Sequence, residues 1–273
     1  MQQKIIACLF DFDGTLIPGN MQEPWLASYG ITAKEFWDHN DRRRRTSKYR
    51  GVNLDAPHCY MNLLLEYADQ GKISRFSNQD LVSFGSFLKP FDGLPEFFYK
   101  IKSLGKKHNV NIEHYVISTG LKEIIAGSSL GLAVDEIFAC EYMEKDGYCV
   151  NPARTVDFIE KNRYLFEINK GVNKGRVKNV NDVIPQDQRR IPLSQMIYVG
   201  NTRKDVPCIS VLDHHHGSSF IVYEQGNHNA KLEAEIMLKQ GRIKEIYPAN
   251  YSEDSDFFAA YSAKIIEIAG FAR

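Results

Sequence analysis

The sequence predicts an α/β protein: a doubly wound parallel sheet with a helical cap inserted after its first strand. Three observations carry this. Short apolar runs of strand type recur along the chain with helical stretches between them, the alternation that builds parallel sheets. The first run, Ile5-Ile6-Ala7-Cys8-Leu9-Phe10, is continuously apolar and stops abruptly at Asp11, as a strand buried on both faces does. Residues 17–89 then hold no buried-strand run and read as helical, so they stand as an insertion between the first and second strands.

Within the insertion, Phe36-Trp37, residues 60–67 (YMNLLLEY) and residues 81–88 carry apolar side chains at helical spacing. Pro90-Phe91-Asp92-Gly93 breaks the pattern. A helix is expected to follow over residues 95–104, with Pro95 near its first turn. Strand-type residues resume at His114-Tyr115-Val116-Ile117, which end at Ser118-Thr119-Gly120 before a helical stretch over residues 121–128. Glu136-Ile137-Phe138-Ala139 reads as a weaker strand, Met196-Ile197-Tyr198-Val199 as one ending at Gly200, and Phe220-Ile221-Val222-Tyr223 as another. Residues 229–273 read as helical, most clearly over 230–238 and 257–268. The expected organisation is a core of residues 1–16 plus 90–273, with a helical C-terminal extension, and a helical cap over residues 17–89.

At 273 residues the chain has room for one large domain carrying an insertion. Lys+Arg and Asp+Glu are equal at 34 each, so no global field draws nucleic acid or an anionic membrane. The five cysteines are scattered without a CxxC pair. That argues for reduced thiols and a cytoplasmic setting over a disulfide framework or zinc site. No apolar stretch approaches the ~20 residues of a membrane span, and the first apolar run is too short for a signal peptide.

The chemistry gathers at the C-terminal ends of the expected strands, where open α/β sheets bind ligands. Asp11 and Asp13 stand two apart in an extended segment, so both carboxylates point the same way with Phe12 turned between them. Gly14 lets the backbone turn sharply and come close to a ligand. Such a pair can share a hard cation, split into nucleophile and proton donor, or cap a helix. Ser118, with Thr119 as its register alternative, sits at a strand-to-helix junction. A hydroxyl there can join backbone N–H groups on a phosphate, or serve as an N-cap.

The string DFDGTL after an N-terminal apolar strand resembles motif I of the haloacid dehalogenase (HAD) superfamily, in its phosphatase, phosphoserine-phosphatase-like form. The resemblance implies a Rossmann-like core, an aspartyl nucleophile at Asp11, a Mg²⁺ ion and hydrolysis of a small phosphorylated metabolite. Val116-Ile117-Ser118-Thr119-Gly120 resembles motif II, whose Ser or Thr anchors the transferred phosphoryl group. Motif III is a Lys near the start of the helix before the last catalytic strand; Lys161 fits it, and Lys170 and Lys174 compete. Residues 197–205 resemble motif IV, an apolar strand followed by Gly-Asp and a second Asp four residues on. Here Asn201 stands in place of the first acid, and Asp205 supplies the second.

By this resemblance the metal site comprises Asp11, Asp13 through its main-chain carbonyl, Asn201 and Asp205, the last orienting Lys161 or a metal-bound water. An Asn oxygen can coordinate Mg²⁺ but adds no negative charge, so weaker metal binding is expected. A catalytically weak phosphate-binding or regulatory homologue is the alternative that Asn201 raises. Asp13 as proton donor suits an oxygen leaving group, which demotes dehalogenation but leaves a sugar-phosphate mutase open. The insertion resembles the cap of many HAD phosphatases, which closes over the site, excludes water and selects substrate.

Two conspicuous runs carry less. Arg42-Arg43-Arg44-Arg45 has no interleaved aromatics and reads as a solvated helix face or exposed turn, not a nucleic-acid contact. His214-His215-His216 reads as a loop before a strand, where consecutive side chains diverge too far to cage a metal.

Overall fold

A computed structural model describes residues 3–270. Seven strands form a single sheet in the order β4-β3-β2-β1-β5-β6-β7. These are β1 (Ile5–Phe10), β2 (Asn111–Leu121), β3 (Glu136–Lys145), β4 (Tyr148–Arg154), β5 (Met196–Gly200), β6 (Ser218–Tyr223) and β7 (Ile246–Pro248). All neighbours pair in parallel except β3 and β4. The two central strands are almost wholly apolar because both of their faces are covered: Ile6 to Phe10 and Met196 to Val199 are fully buried.

β1 lies between β2, with Phe10 beside Val116, and β5, with Phe10 beside Val199. Strand order runs outward through β2 and β3 on one side of β1, and through β5, β6 and β7 on the other. The strand order therefore reverses at β1 and β5, the place where doubly wound sheets form a ligand crevice beyond their carboxyl ends.

Three strand assignments depart from the pattern expected of the sequence. β2 continues through Ser118, Thr119 and Gly120 to Leu121, with an irregular register against β3 between Ile117 and Leu121. β3 extends well past Ala139 and turns back on β4 as an antiparallel ribbon. Asp146 (φ 51°) and Gly147 (φ 80°) make the connecting turn, an Asp-Gly pair suited to a tight hairpin. Residues 229–270 are not helical throughout, because β7 adds an edge strand there. It is three residues long and ends at Pro248, too short to show a periodicity and closed by a residue that suits an edge.

The insertion supplies four helices: α1 (Glu23–Ala27), α2 (Ala33–Tyr49), α3 (Ala56–Asp69) and α4 (Asn78–Gly85). Thr32 caps α2 through Glu35 N–H, and Ser77 with Asp80 forms a capping box on α4. Aromatic edges join the helices: Phe36 meets Tyr67 and Trp25 meets Phe76. The Tyr60 hydroxyl donates to the Thr119 carbonyl at 3.0 Å, and the Tyr142 hydroxyl to the Met61 carbonyl at 2.8 Å. These bonds seat α3 over the ends of β2 and β3.

The remaining helices are α5 (Glu96–Lys107), α6 (Lys122–Gly127), α7 (Lys161–Lys170), α8 (Val206–His214), α9 (His228–Lys239) and α10 (Asp256–Gly270). His214 thus ends a helix instead of opening the loop expected for the histidine run. The Arg42–45 run lies in α2, where Arg43 pairs with Glu66 and Arg44 is half-buried. α10 is part of the core: Tyr261 is fully buried and its ring lies 6.1 Å from that of Phe10. Close by, the Tyr251 hydroxyl donates to the Thr15 carbonyl at 2.6 Å, across 236 positions of sequence. All five cysteines are buried and free. Among the described residues no helix is long and apolar enough to cross a membrane.

Candidate active site

Asp11 follows the last residue of β1, and its N–H donates to the Val199 carbonyl of β5 at 2.9 Å. That bond continues the ladder by one step and leaves the side chain at the carboxyl edge of the sheet. Its Oδ1 accepts from Lys161 Nζ at 2.8 Å. Lys161, the first residue of α7, is 1 % exposed. A buried ammonium is stable only when paired, and this one bonds a second carboxylate, Asp205 Oδ1, at 2.9 Å. Lys170 instead bonds the Val180 and Asp182 carbonyls, and Lys174 lies beside Glu136. Of the three candidate lysines, Lys161 stands with the carboxylates.

Asp205 is fully buried and both of its oxygens are occupied. Oδ1 accepts from Lys161 and from the Tyr198 hydroxyl at 2.8 Å, and Oδ2 from the Asn201 and Thr202 N–H groups at 3.0 and 3.1 Å. Gly200 makes this close packing possible: a Cβ there would collide with the Asp205 carboxylate. Burial opposes the charge on Asp205, but Lys161 and the two N–H groups outweigh it and hold its carboxyl below the ordinary value.

Asp13 Oδ1 accepts from Met21 N–H at 2.9 Å. Burial, then the neighbouring Asp11 charge, pushes the Asp13 carboxyl up to about 8. Burial pushes Asp11 up to about 6, with Lys161 pulling the other way. The two acids are therefore unlike: Asp11 is held by a cation, and the Asp13 carboxyl is pushed further toward its protonated form. Gly14 takes φ 71° and brings its backbone against the Asn201 carboxamide, in space a side chain would fill.

Asp11, Asp13, Gly14, Thr119, Lys161 and Asn201 line one cavity of about 240 Å³. Ser118 and Asp205 are buried and do not line it. Ser118 is 1 % exposed and its Oγ accepts from Gly120 N–H at 3.0 Å. A larger surface pocket of about 480 Å³, around Lys170, Arg176 and Arg189, lies away from these groups.

Two contributors were not singled out from the sequence. Tyr198 anchors Asp205, and its signal was a hydroxyl within an otherwise apolar strand. Met21 supplies the N–H that holds Asp13, while its Sδ accepts from Leu121 N–H at 3.2 Å. A backbone donor leaves no trace in residue type, so nothing in the sequence marked it.

A family model described as haloacid dehalogenase-like hydrolase matches residues 8–210. A Borreliella burgdorferi protein described as uncharacterized is 28% identical over 286 aligned residues, spanning 97% of this chain and 98% of its own. Among solved structures, a HAD family hydrolase from Salmonella enterica serovar Typhi superposes with a TM-score of 0.57 at 13% identity, covering 93% of this chain and 73% of that one. A phosphoserine phosphatase captured as a phospho-aspartyl intermediate analogue gives 0.53 at 15% identity, covering 96% and 99%. At these identities the structural likeness speaks to the fold.

Proposed function

Since the chain belongs to the haloacid dehalogenase-like hydrolases, we propose that it hydrolyses a small phosphomonoester through a phosphorylated Asp11. The observation that carries this reading is Lys161 Nζ, held 2.8 Å from Asp11 and 2.9 Å from Asp205 at the carboxyl edge of the sheet. A buried ammonium so placed neutralises the nucleophile and the oxygens of an incoming phosphoryl group.

Asp11 attacks phosphorus, and the bond from phosphorus to the leaving oxygen breaks. Asp13, whose burial and whose neighbour Asp11 favour its protonated form, gives a proton to the leaving oxygen. It then takes a proton from water as the water attacks phosphorus. The Asp11–phosphorus bond breaks, releasing phosphate and restoring both carboxyl groups. Thr119 lines the cavity and the buried Ser118 precedes it in β2, so this segment of β2 is our choice for phosphate contact. Asp205 and Tyr198 position Lys161 and do not touch substrate.

The donors that the resemblance implies, the Asp11 carboxylate, the Asp13 carbonyl and the Asn201 carboxamide, belong to residues that line the cavity, and all are hard oxygens that fit Mg²⁺. Among the described residues no group of three or more His, Cys, Asp or Glu is placed to hold a metal, which accords with an amide at 201 in place of a third acid. Bound there, Mg²⁺ would supply charge neutralisation for the phosphoryl oxygens. Asn201 also favours the second reading, a phosphate-binding homologue of weak turnover.

Release of inorganic phosphate from p-nitrophenyl phosphate with Mg²⁺ tests the proposal. Asp11→Asn is expected to lower the rate by about 10³-fold or more. Wild-type turnover in Asp11→Asn would overturn the assignment of the nucleophile. Transfer of phosphate within a sugar, without free phosphate, would point to a mutase.

A further inference from the structure

A single hydrogen bond holds the Asp13 carboxyl. Among the described residues only Met21 N–H donates to it, reaching Oδ1 at 2.9 Å, and Oδ2 accepts from none. On the phosphatase reading, on which the inference below rests, this carboxyl must meet the leaving oxygen. A general acid acts only within hydrogen-bond reach of the atom it protonates, and a misplacement of about 1 Å can cost about 10²-fold in rate. Whatever fixes Met21 therefore fixes the aim of the proton donor.

Met21 lies where the chain enters the insertion, two residues before α1. Gly14 (φ 71°) and Gly19 (φ 64°) turn the chain back so that residue 21 comes beside residue 13. This stretch is a turn, with no ladder of its own to hold the Met21 N–H in place. The side chain supplies the anchor. It is fully buried, and its Sδ accepts from Leu121 N–H at 3.2 Å. The thioether also rests against Gly120, where a Cβ would stand 2.7 Å from Sδ. The register of β2 against β3 is irregular between Ile117 and Leu121, and the sulfur takes up the N–H at the end of that irregular stretch. A buried N–H needs an acceptor, which a hydrocarbon side chain of the same size does not offer.

The same stretch of β2 carries the residues chosen above for phosphate contact. The Thr119 carbonyl accepts from the Tyr60 hydroxyl at 3.0 Å and from Cys140 Sγ at 3.4 Å, and Ser118 Oγ accepts from Gly120 N–H. Met21 thus holds the proton donor through its backbone and the end of β2 through its side chain. Methionine suits this double role, being unbranched, adaptable and a weak acceptor at sulfur.

We propose that Met21 is a positioning residue for proton transfer. Its thioether, docked on Gly120 and Leu121, sets the place of the Asp13 carboxyl relative to the phosphate-holding end of β2. Loosening that joint costs most where the leaving oxygen most needs a proton. A p-nitrophenolate departs without one, whereas phenol and p-methoxyphenol leave from esters of nearly the same shape and draw on the acid.

The test measures kcat/KM of the full chain with Mg²⁺ on p-nitrophenyl, phenyl and p-methoxyphenyl phosphate. This constant covers the steps up to loss of the phenol, so hydrolysis of the phosphorylated Asp11 does not enter it. Met21→Leu conserves volume, a change that cores usually tolerate. It is expected to lower kcat/KM about tenfold for the phenyl and p-methoxyphenyl esters, a part of the about 10²–10⁴-fold that a general acid contributes. The p-nitrophenyl ester is expected to stay within about twofold of wild type. In Gly120→Ala the new Cβ would press on the same thioether, and the same selective loss is expected there should Met21→Leu fail to fold. An equal loss on all three esters, or no loss on any, would reduce Met21 to packing and overturn the inference alone. No release from any of the three by the wild-type chain overturns the phosphatase reading with it.

Discussion

Asn201 subtracts a charge from the candidate metal site, while its backbone N–H still holds Asp205. Asn201→Asp restores that charge without disturbing the N–H. The Mg²⁺ concentration giving half-maximal phosphate release is expected to fall about tenfold or more in this variant. An unchanged requirement would mean that residue 201 does not reach the metal. Tyr198 acts one step further back. Tyr198→Phe removes the hydroxyl from Asp205 Oδ1 and leaves Lys161 as that oxygen's remaining donor. We expect a stability loss of about 1 kcal/mol, and up to tenfold in kcat through a less firmly held Lys161. Urea unfolding and steady-state kinetics measure both, and wild-type values for both would discard the positioning role. Asp11 and Asp13 stood out in the sequence by residue type and spacing, and Asn201 through the resemblance to motif IV. Tyr198 and Met21 did not, since a strand tyrosine reads as core and a backbone N–H has no side chain to announce it.

At the scale of the element, β2 carries a conflict in its interior. His114 is fully buried beside Phe98 and Phe10, and neither ring nitrogen has a partner. Burial, with Lys102 adding to it, drives its pKa well below 6.5. The folded ring therefore stays neutral while the unfolded one takes a proton once pH falls below about 6.5. Its contribution is complete above that value and is lost progressively as the medium becomes more acidic. His114→Leu should flatten the fall in stability between about pH 6.5 and 5, as read from urea midpoints at several pH values. A slope equal to wild type would place the acid sensitivity elsewhere. Glu113, on the opposite face, is a separate case. Burial opposes its charge, but Arg190 and the Tyr115 hydroxyl prevail and lower its pKa from 4.5. Its stabilisation is lost only as pH falls through that lower value. Elements with long apolar stretches, such as β1 and α3, could be located from the sequence alone. β4 and β7 could not, because their pairing depends on edges that already exist in the folded sheet.

At the scale of the whole molecule, the family match ends at residue 210, yet the core does not. α10 buries Phe257, Tyr261, Ile265 and Ile268, and burying each such side chain contributes about 1.5–3 kcal/mol. Together they rival the total stability of about 5–15 kcal/mol that domains commonly have. A chain ending after Asn250 is expected to lose soluble yield and cooperative thermal unfolding. A truncated protein that melts at the wild-type temperature would show that α10 is an ornament.

The bond from Tyr251 to the Thr15 carbonyl has a bearing on how the protein comes into being. Thr15 belongs to the turn that follows Asp13, and its partner is made 236 positions later. During synthesis the strand that leads to Asp11 leaves the ribosome early and waits for β5, and then for the chain's last quarter, before its surroundings are complete. Such distant closures are slow and leave apolar strands uncovered meanwhile. The nascent chain thus carries an incomplete candidate site and uncovered apolar strands for most of its elongation.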